Sequence, residues 1–364
     1  MTTYDSIVTP TEWLCSSCGQ RRADHECLGG FQRQRVPFAA MLRVHNEARW
    51  ISEVLESIRP LCERIFVMDD HSTDNTIELS QRFRLGANQA EQVKVYNSPF
   101  EGLNESRDKN WLYDRIIREC EPEWILCVDG DEVLEMRGPD IIREHCAQTK
   151  LVAKDVVKGG GVHVTEYEAV PVADSYKLPI AFLWNDREHW RTDRIYGDFW
   201  RPSLFRPFIP SPDKPDDMLV AKEFRFKATP FGRHVNSNQP NLHCSSVPQR
   251  RIHGAKMLPA RLKHYGYMLR EDRVRKLDNY TAIDWDNKAE DCYRHMCQGD
   301  APKLSQLPKI RALLASGTLM QSDVDFLLNV PPDATLVHAG PLKIEPWDES
   351  TPWEMSAWAR SQNA

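Results

Sequence analysis

The sequence of 364 residues contains no apolar run long enough to cross a bilayer. Its longest apolar runs, such as residues 124–128, are far shorter than the roughly 20 residues of a membrane-spanning helix. The amino terminus has neither the basic region nor the apolar region of a secretory signal. Basic residues are not in surplus, at 47 Lys and Arg against 53 Asp and Glu, which argues against binding nucleic acid by charge alone. We therefore expect a soluble, cytoplasmic protein.

Composition and length are those of a folded protein with about two structural units. Hydrophobic residues make up 41% and charged residues 27% of the chain, which excludes wholesale disorder and collagen-like structure. Five of the ten cysteines are scattered through apolar or helical stretches, where buried free thiols are expected. They are Cys62, Cys120, Cys127, Cys146 and Cys244.

Strand and helix patterns alternate over residues 38–132. Short apolar runs predict buried strands, and apolar residues at helical spacing predict the helices between them. Asn46 is a candidate N-cap of the first helix, and Ser72 or Thr73 of the second. This alternation is typical of a parallel, doubly wound sheet, which binds ligands at the carboxyl ends of its strands. The predicted strands are residues 38–44, 64–68, 93–96 and 124–128, and the third helix is about residues 105–120.

Polar residues follow three of these strands at their carboxyl ends, at residues 46–47, 69–70 and 129–132. Asp129 and Asp131 flank a glycine, and strand alternation sends their side chains to the same side. Two carboxylates held together repel each other unless a cation lies between them. Mg²⁺ or Mn²⁺, bridging to phosphate oxygens, is the natural occupant. The sequence therefore predicts a metal and phosphate site at this edge of the sheet.

Three segments resemble motifs of the family-2 glycosyltransferases of the GT-A fold, in the form found in bacteria and phages. They read MLRVHNE at residues 41–47, VMDDHSTDNT at residues 67–76 and WILCVDGDE at residues 124–132. Their order and separations match, and the similarity covers about residues 37–136. Residues 263–280 also resemble the segment that follows the acceptor region in some members. The resemblance implies an α/β fold with a Rossmann-like, mostly parallel sheet and helices on both faces.

The resemblance also implies roles for individual residues. Asp70 takes the position of the acid that hydrogen-bonds the base, commonly uracil, which favours a UDP-sugar donor. Asp129 and Asp131 would bind the metal ion that neutralises the leaving nucleoside diphosphate, with His264 as a third ligand. Arg107 and Lys109 would face the ribose or the diphosphate. The residues expected to contact the nucleotide sugar are Arg43, Asn46, Glu47, Asp70, Arg107, Lys109 and Gly130.

Transfer with inversion needs a general base that takes the proton of the acceptor hydroxyl. In the family the base is an acid downstream of the metal acids, and Asp186 or Asp193 is the favoured candidate. Pairing with a neighbouring arginine is the alternative role of each carboxylate. The tryptophans of the same stretch either stack on the acceptor or belong to the core. They are Trp184, Trp190 and Trp200.

Cysteines and a histidine cluster near the amino terminus. Three thiols and an imidazole within 13 residues match a tetrahedral Cys₃His structural zinc site. A redox Cys-x-x-Cys pair is the alternative, but the βαβ setting of that motif is missing. The zinc ligands are Cys15, Cys18, His25 and Cys27. The chain is expected to comprise a zinc-knuckle-like segment (1–34), a nucleotide-sugar-binding half (35–150), an acceptor-binding half (151–285) and a C-terminal helical extension (286–364).

The implied activity is metal-dependent, inverting transfer of a sugar from a nucleoside diphosphate to a hydroxyl group. A saccharide, a protein side chain and a modified DNA base all remain open as acceptors. A nucleotidyltransferase is one alternative, but it would carry a glycine-rich phosphate loop where residues 44–47 stand. A non-catalytic binding protein on the same fold is the other. It would have lost the metal acids, whereas both Asp129 and Asp131 are present.

Overall fold

The computed structural model describes residues 34–86, 91–159, 162–207, 209–210, 218–219, 225–227, 244–248, 254–283, 293–334, 336 and 340–350. The zinc-ligand candidates Cys15, Cys18, His25 and Cys27 lie outside these residues, so the zinc site stays a prediction. Within the described ranges, no helix is both long enough and apolar enough to span a membrane. The five scattered cysteines are free thiols as expected, four of them buried and Cys244 partly exposed.

Strands and helices alternate in the first half of the chain, as predicted. The elements are β1 (Gln34–Val44), α1 (Ile51–Ile58), β2 (Arg64–Asp69), α2 (Thr76–Gln81), β3 (Val93–Asn97), α3 (Glu105–Glu119), β4 (Cys120–Cys127), β5 (Glu132–Leu134) and α4 (Gly138–Cys146).

Strands dominate the middle of the chain, and helices return towards its end. The elements are β6 (Thr149–Lys158), β7 (Val162–Pro171), β8 (Ser175–Phe182), β9 (His189–Arg191), β10 (Trp200–Phe205), β11 (Ile209–Pro210), β12 (Met218–Leu219), β13 (Lys256–Met257), β14 (Leu262–His264), α5 (Arg270–Ile283), α6 (Pro308–Ala315), α7 (Gln321–Leu328) and β15 (Ile344–Pro346).

One nine-stranded sheet runs through the described residues in the order β3-β2-β1-β4-β10-β8-β14-β5, with β13 beside β8. Its first four strands pair in parallel, as the βαβ pattern predicted. β10 pairs antiparallel with both β4 and β8, and β14 pairs parallel with β8 and antiparallel with β5. The sheet thus includes strands from both sides of residue 150. The predicted α/β sheet with a mostly parallel arrangement is confirmed.

The two faces of β1 bury alternate residues in separate hydrophobic clusters. Leu42 and Val44 pack in one cluster with the apolar face of α1, while Met41 packs in the other with the apolar face of α3. Burying each such side chain contributes about 1.5–3 kcal/mol. The helices therefore lie on opposite faces of the sheet and hold the strand ends of β1, β2 and β4 in place.

The starts of two helices differ from the sequence prediction. α1 begins at Ile51 after Trp50, so Asn46 does not cap it. Asn46 instead adopts a left-handed conformation with φ of 57° in the loop after β1. α2 begins at Thr76 after Asn75, three or more residues beyond the proposed caps Ser72 and Thr73. Both predictions were wrong because the loops at the carboxyl ends of β1 and β2 are longer than a direct strand-to-helix turn.

Candidate functional site

A cleft of about 590 Å³ opens where the carboxyl ends of β1, β2 and β4 meet. Because parallel strands deliver their ends to one edge, polar residues far apart in sequence meet there. β14 and α5 close the opposite wall of the cleft. The sequence-predicted residues that line it are Arg43, Glu47, Asp70, Lys109, Asp129, Gly130, Asp131 and His264.

Arg43 fixes Asp70 at the wall of this cleft. The Arg43 side chain donates from Nε to Asp108 at 2.9 Å and from Nη2 to Asp70 Oδ2. His45 contacts the main-chain oxygen of Asp70 through Nδ1 at 2.6 Å. The carboxylate of Asp70 is therefore held in one orientation by β1, while its Oδ1 stays outside the pair with Arg43.

Asp129 and Asp131 each have a cation of the protein as a partner. Arg201, on β10, donates to Asp129 Oδ2 at 2.7 Å and to Glu132 through its other terminal nitrogen. Lys276, on α5, donates to Asp131 Oδ2 at 2.5 Å. Burial alone would raise the pKa of the Asp129 carboxyl, but Arg201 and Lys109 hold that pKa well below its usual range. The pKa of Asp131 is also below its ordinary value. Burial would raise it, but the positive charge of Lys276 outweighs the effect of burial.

Lys109 adds a further positive charge to the cleft. It lies on α3 with only 3% of its surface exposed. Its ammonium is 3.5 Å from Glu105, one helical turn earlier. Burial on its own would lower the pKa of Lys109, yet the surrounding anionic groups hold it well above its ordinary value. Lys109 is therefore a permanent cation at the edge where a diphosphate was expected.

The donor atoms around the two aspartates fit a divalent ion in chemical type. Burial lowers the pKa of His264 to about 4, so its imidazole is neutral, as a metal ligand requires. Its Nε2 is 4.0 Å from Asp131 Oδ1. Three buried atoms in the cleft lack a hydrogen-bond partner among the described residues: Glu47 Oε2, Glu132 Oε1 and His264 Nδ1. Buried polar atoms without partners need a polar ligand, water or ion.

The side chains of the candidate metal ligands do not form a closed metal-binding site. Over the described ranges, no group of three or more His, Cys, Asp or Glu side chains is close enough to hold an ion. The pairs Asp129–Arg201 and Asp131–Lys276 account for this, because each aspartate is directed to its own cation. A divalent ion would have to share the carboxylates with these cations.

An aromatic wall borders the polar part of the cleft. Phe182 stacks on Tyr267 with ring centres 5.8 Å apart, and both rings contact His264. Phe199 packs against Phe182 and also lines the cleft. Aromatic faces of this kind can receive the apolar face of a ring-shaped ligand.

Four predicted site residues that the structure describes do not line the cleft. Asn46 joins two loops by accepting from the main-chain N–H of Thr73 at 2.7 Å. Arg107 donates to the carbonyls of Glu101 and Gly102 and so braces the loop before α3. The other two are the general-base candidates Asp186 and Asp193.

The two base candidates have different surroundings. Asp186 is partly exposed and contacts His189 Nδ1 at 2.8 Å. Asp193 is buried and accepts two hydrogen bonds from Arg191, at 2.7 and 2.9 Å. The main-chain N–H of Lys343 also donates to Asp193, at 3.2 Å. These contacts give Asp193 the structural pairing with arginine that was the alternative role.

The tryptophans of this stretch are also absent from the cleft lining. Trp184 is buried, with the guanidinium groups of Arg191 and Arg273 at 4.8 and 4.4 Å from its ring. Trp190 packs edge-on against Trp347. These two side chains are therefore packing residues.

Sequence reasoning missed Arg201 and Glu132. The charged sequence around Lys276 is compatible with both a solvated helix face and a diphosphate contact, so it does not decide the role of this residue. Arg201 comes from an antiparallel strand that carries no recognisable motif. Lys276 belongs to a charged helix whose pattern does not reveal its inner face, although the residue is 9% exposed. Glu132 follows the Asp-Gly-Asp triplet directly, and this adjacency was the one available signal for it.

Gly266 gives the Asp131–Lys276 pair its space, so Gly266→Ala is expected to destabilise the protein. A Cβ at Gly266 would lie 2.0 Å from Asp131 Oδ2 and 2.5 Å from Lys276 Nζ. Overpacking of this kind costs about 1–3 kcal/mol of unfolding free energy. Urea unfolding measures it, with Gly159→Ala as the control because a Cβ there meets no atom within 4 Å. Equal stability of the two variants would contradict the geometry.

Glu47 makes stability depend on pH. Burial, with the nearby charge of Asp131, raises the pKa of Glu47 from 4.5 to about 8. The folded protein thus retains a proton that the unfolded chain releases, and the stability this contributes is lost as pH rises through about 8. Urea unfolding in EDTA should therefore show Glu47→Gln gaining stability relative to the native protein between pH 6 and pH 8.5. A stability difference that does not change with pH would contradict this.

Residues 41–191 match the family model described as glycosyl transferase family 2. The match confirms the resemblance over this segment. An uncharacterized protein of Mycobacterium tuberculosis (strain H37Rv) is 32% identical over 97 residues, which are 26% of this chain and 23% of that protein. An uncharacterized protein of Mycobacterium bovis gives the same figures. The chain thus spans about a quarter of the length of these curated relatives.

Solved structures show weaker likenesses. A crystal structure of S. aureus TarS has 16% identity and a TM-score of 0.32, covering 80% of this chain and 77% of that chain. Glucosyl-3-phosphoglycerate synthase from Mycobacterium tuberculosis, in complex with Mn²⁺, UDP-glucose and phosphoglyceric acid, has 16% identity and a TM-score of 0.24, covering 41% and 44%. TM-scores this low do not establish a shared fold, so neither likeness bears on the function of this chain.

Proposed function

We propose that the protein is a metal-dependent, inverting glycosyltransferase that moves a hexosyl or pentosyl group from a nucleoside-diphosphate sugar to a hydroxyl acceptor. A UDP-sugar is the favoured donor. The observation that carries the proposal is one cleft that contains Asp70, Lys109, Asp129, Asp131 and His264. These residues supply a base-binding acid, a phosphate-binding cation and a metal-type donor set to a single space within the glycosyl transferase family 2 segment and β14.

The base-binding end of the cleft would be at Asp70. Its Oδ2 is paired with Arg43, which leaves Oδ1 to accept an N–H from the ring of uracil. Because Arg43 also binds Asp108, the acid is held in place before a ligand arrives. Preorganised acceptors of this kind lower the entropic cost of binding.

The diphosphate end would be at the two aspartates. Asp129, Asp131 and His264 would hold Mn²⁺ or Mg²⁺, which when bound neutralises the leaving nucleoside diphosphate. Lys109 and Lys276 line the same space and bring fixed positive charge to the side where negative charge develops. Both lysines are buried, and charge stabilisation by buried groups is worth more than on an exposed surface.

The general base is proposed to be Asp186. Asp193 is enclosed by Arg191 and is therefore assigned to the packing of the protein. Asp186 keeps solvent access, with 45% of its side chain exposed, and contacts His189, which can hold it in one orientation. Since Asp186 does not line the cleft, this role requires the loop after β8 to move towards the acceptor.

The acceptor would lie against the aromatic wall of Phe182, Phe199 and Tyr267. Aromatic faces favour a ring with an apolar side, such as a sugar or a base. The aromatic wall therefore supports a saccharide acceptor and a modified DNA base equally. A protein side chain is compatible with it if that side chain carries a ring. The structural zinc proposed for the first 34 residues would add a contact for a macromolecular acceptor.

Donor hydrolysis tests the proposed function. Purified protein is incubated with Mn²⁺, Mg²⁺ or EDTA and a panel of UDP-, GDP- and TDP-sugars, and release of free nucleoside diphosphate is measured. We expect release from a UDP-sugar that depends on the metal ion and stops in EDTA. No release from any donor, together with no calorimetric binding of any nucleoside diphosphate, would contradict the proposal.

A further inference from the structure

Lys276 is the direct counter-ion of Asp131. The two side chains meet at 2.5 Å, and the pair is almost fully buried, with 11% of the lysine and 4% of the aspartate side chain exposed. In the part of the chain that the structure describes, Asp131 is the only carboxylate in an ion pair with Lys276. The negative charge of a predicted metal ligand is therefore already compensated by the protein itself.

The space for this contact is made by two elements. Gly266 follows β14 without a side chain, and a Cβ there would overlap both partners. α5 then carries Lys276 on its second turn, so the ammonium enters the cleft beside the ring of Tyr267, 5.4 Å away. The lysine stem is flexible and reaches one partner at a time.

Arg201 differs from Lys276 in having two anionic partners. It bridges Asp129 and Glu132, and Glu132 accepts in turn from the main-chain N–H of Asp129 at 3.0 Å. Taking Arg201 from Asp129 would disrupt this closed network. Among the described residues Lys276 has no such second anchor, so of the two cations it is the one that can leave its aspartate.

We propose that Lys276 exchanges partners, pairing with Asp131 in the ion-free protein and with the diphosphate of the donor once a divalent ion is bound to Asp131. The inference rests on the proposed function and adds a coupling between metal and nucleotide to it. A divalent ion and an ammonium beside the same carboxylate repel each other, so Lys276 weakens ion binding while it stays there. A diphosphate in the cleft draws the ammonium away from Asp131, and each ligand then tightens the binding of the other.

Mn²⁺ binding followed by electron paramagnetic resonance tests this coupling without any turnover. Titrations are run with and without UDP for the native protein, Lys276→Met and the control Lys343→Met. Lys343 is exposed, and within the described ranges its ammonium pairs with Glu345 alone, at the surface. We expect Lys276→Met to bind Mn²⁺ alone about tenfold more tightly than the native protein, and UDP to improve Mn²⁺ affinity about tenfold less than it does in the native protein. Lys343→Met should match the native protein in both titrations.

The outcomes separate this inference from the proposed function. If native protein binds Mn²⁺ and UDP, and Lys276→Met gives the same affinities and coupling, the partner exchange is wrong while the proposed function stands. If neither Mn²⁺ nor UDP binds any variant, both are wrong. Thermal unfolding checks that Lys276→Met is folded. Should it not be, Lys276→Gln replaces it, because this side chain can still donate to Asp131 but carries no charge, so the same tighter Mn²⁺ binding is expected.

Discussion

Asp131→Asn is expected to reduce donor hydrolysis on the order of 10²–10³-fold, the cost of losing one key electrostatic group from an active site. The substitution keeps the shape of the side chain and removes the charge that would bind the metal ion. It also leaves the ammonium of Lys276 buried without its counter-ion, which destabilises by about 3 kcal/mol. Nucleoside diphosphate release and urea unfolding measure the two effects separately.

Two further variants separate chemistry from folding in this experiment. Asp140→Asn is the matched control, because Asp140 is exposed and pairs with Arg143 on the surface of α4. It should keep both activity and stability. The double variant Asp131→Asn/Lys276→Met should regain most of the lost stability, since no buried charge is left unpaired, yet stay inactive. If folded Asp131→Asn keeps metal-dependent activity close to that of the native protein, Asp131 is not a metal ligand of the active site.

The sequence predicted the part of the site that depends on local pattern. Each of β1, β2 and β4 is a short apolar run followed by an acid, and parallel pairing takes all three ends to one edge. Strand register and helix packing are then sufficient to bring Asp70 near Asp129 and Asp131. Lys109, which also lines the cleft, was expected only from the family resemblance and not from the pattern of α3.

The partners of the acids could not be predicted in this way. Arg201 and Lys276 are 72 and 145 residues away from the aspartates they bind. Their contacts depend on how β10 and α5 pack against the parallel sheet. In neither element does the spacing of apolar residues indicate which face is buried. The exposed or buried state of Asp186 and Asp193 was equally hidden, because Arg191, the partner of Asp193, is held by His295 and Gln298 from a distant part of the chain.

Arg191→Met is expected to lower the free energy of unfolding by about 3–5 kcal/mol, the cost of breaking a buried ion pair from one side. The Arg191 side chain is fully buried and donates twice to Asp193, once to Gln298 and once to the carbonyl of His295 at 3.0 Å. Methionine can fill part of this volume but leaves the carboxylate of Asp193 buried and unpaired. Urea unfolding is the measurement, and Arg187→Met is the control.

Arg187 suits this comparison because it pairs with Glu53 at 2.6 Å on the surface, where such pairs contribute about 0–1 kcal/mol. Arg191→Met and Arg187→Met should therefore differ by several kcal/mol, and equal stability would contradict the structural role. Asp193→Asn completes the argument. Folded Asp193→Asn should keep donor hydrolysis and sugar transfer near native, since its carboxylate holds Arg191 rather than the acceptor. Native stability with lost transfer would return Asp193 to the position of general base, and would mean that Arg191 moves away from it during the reaction.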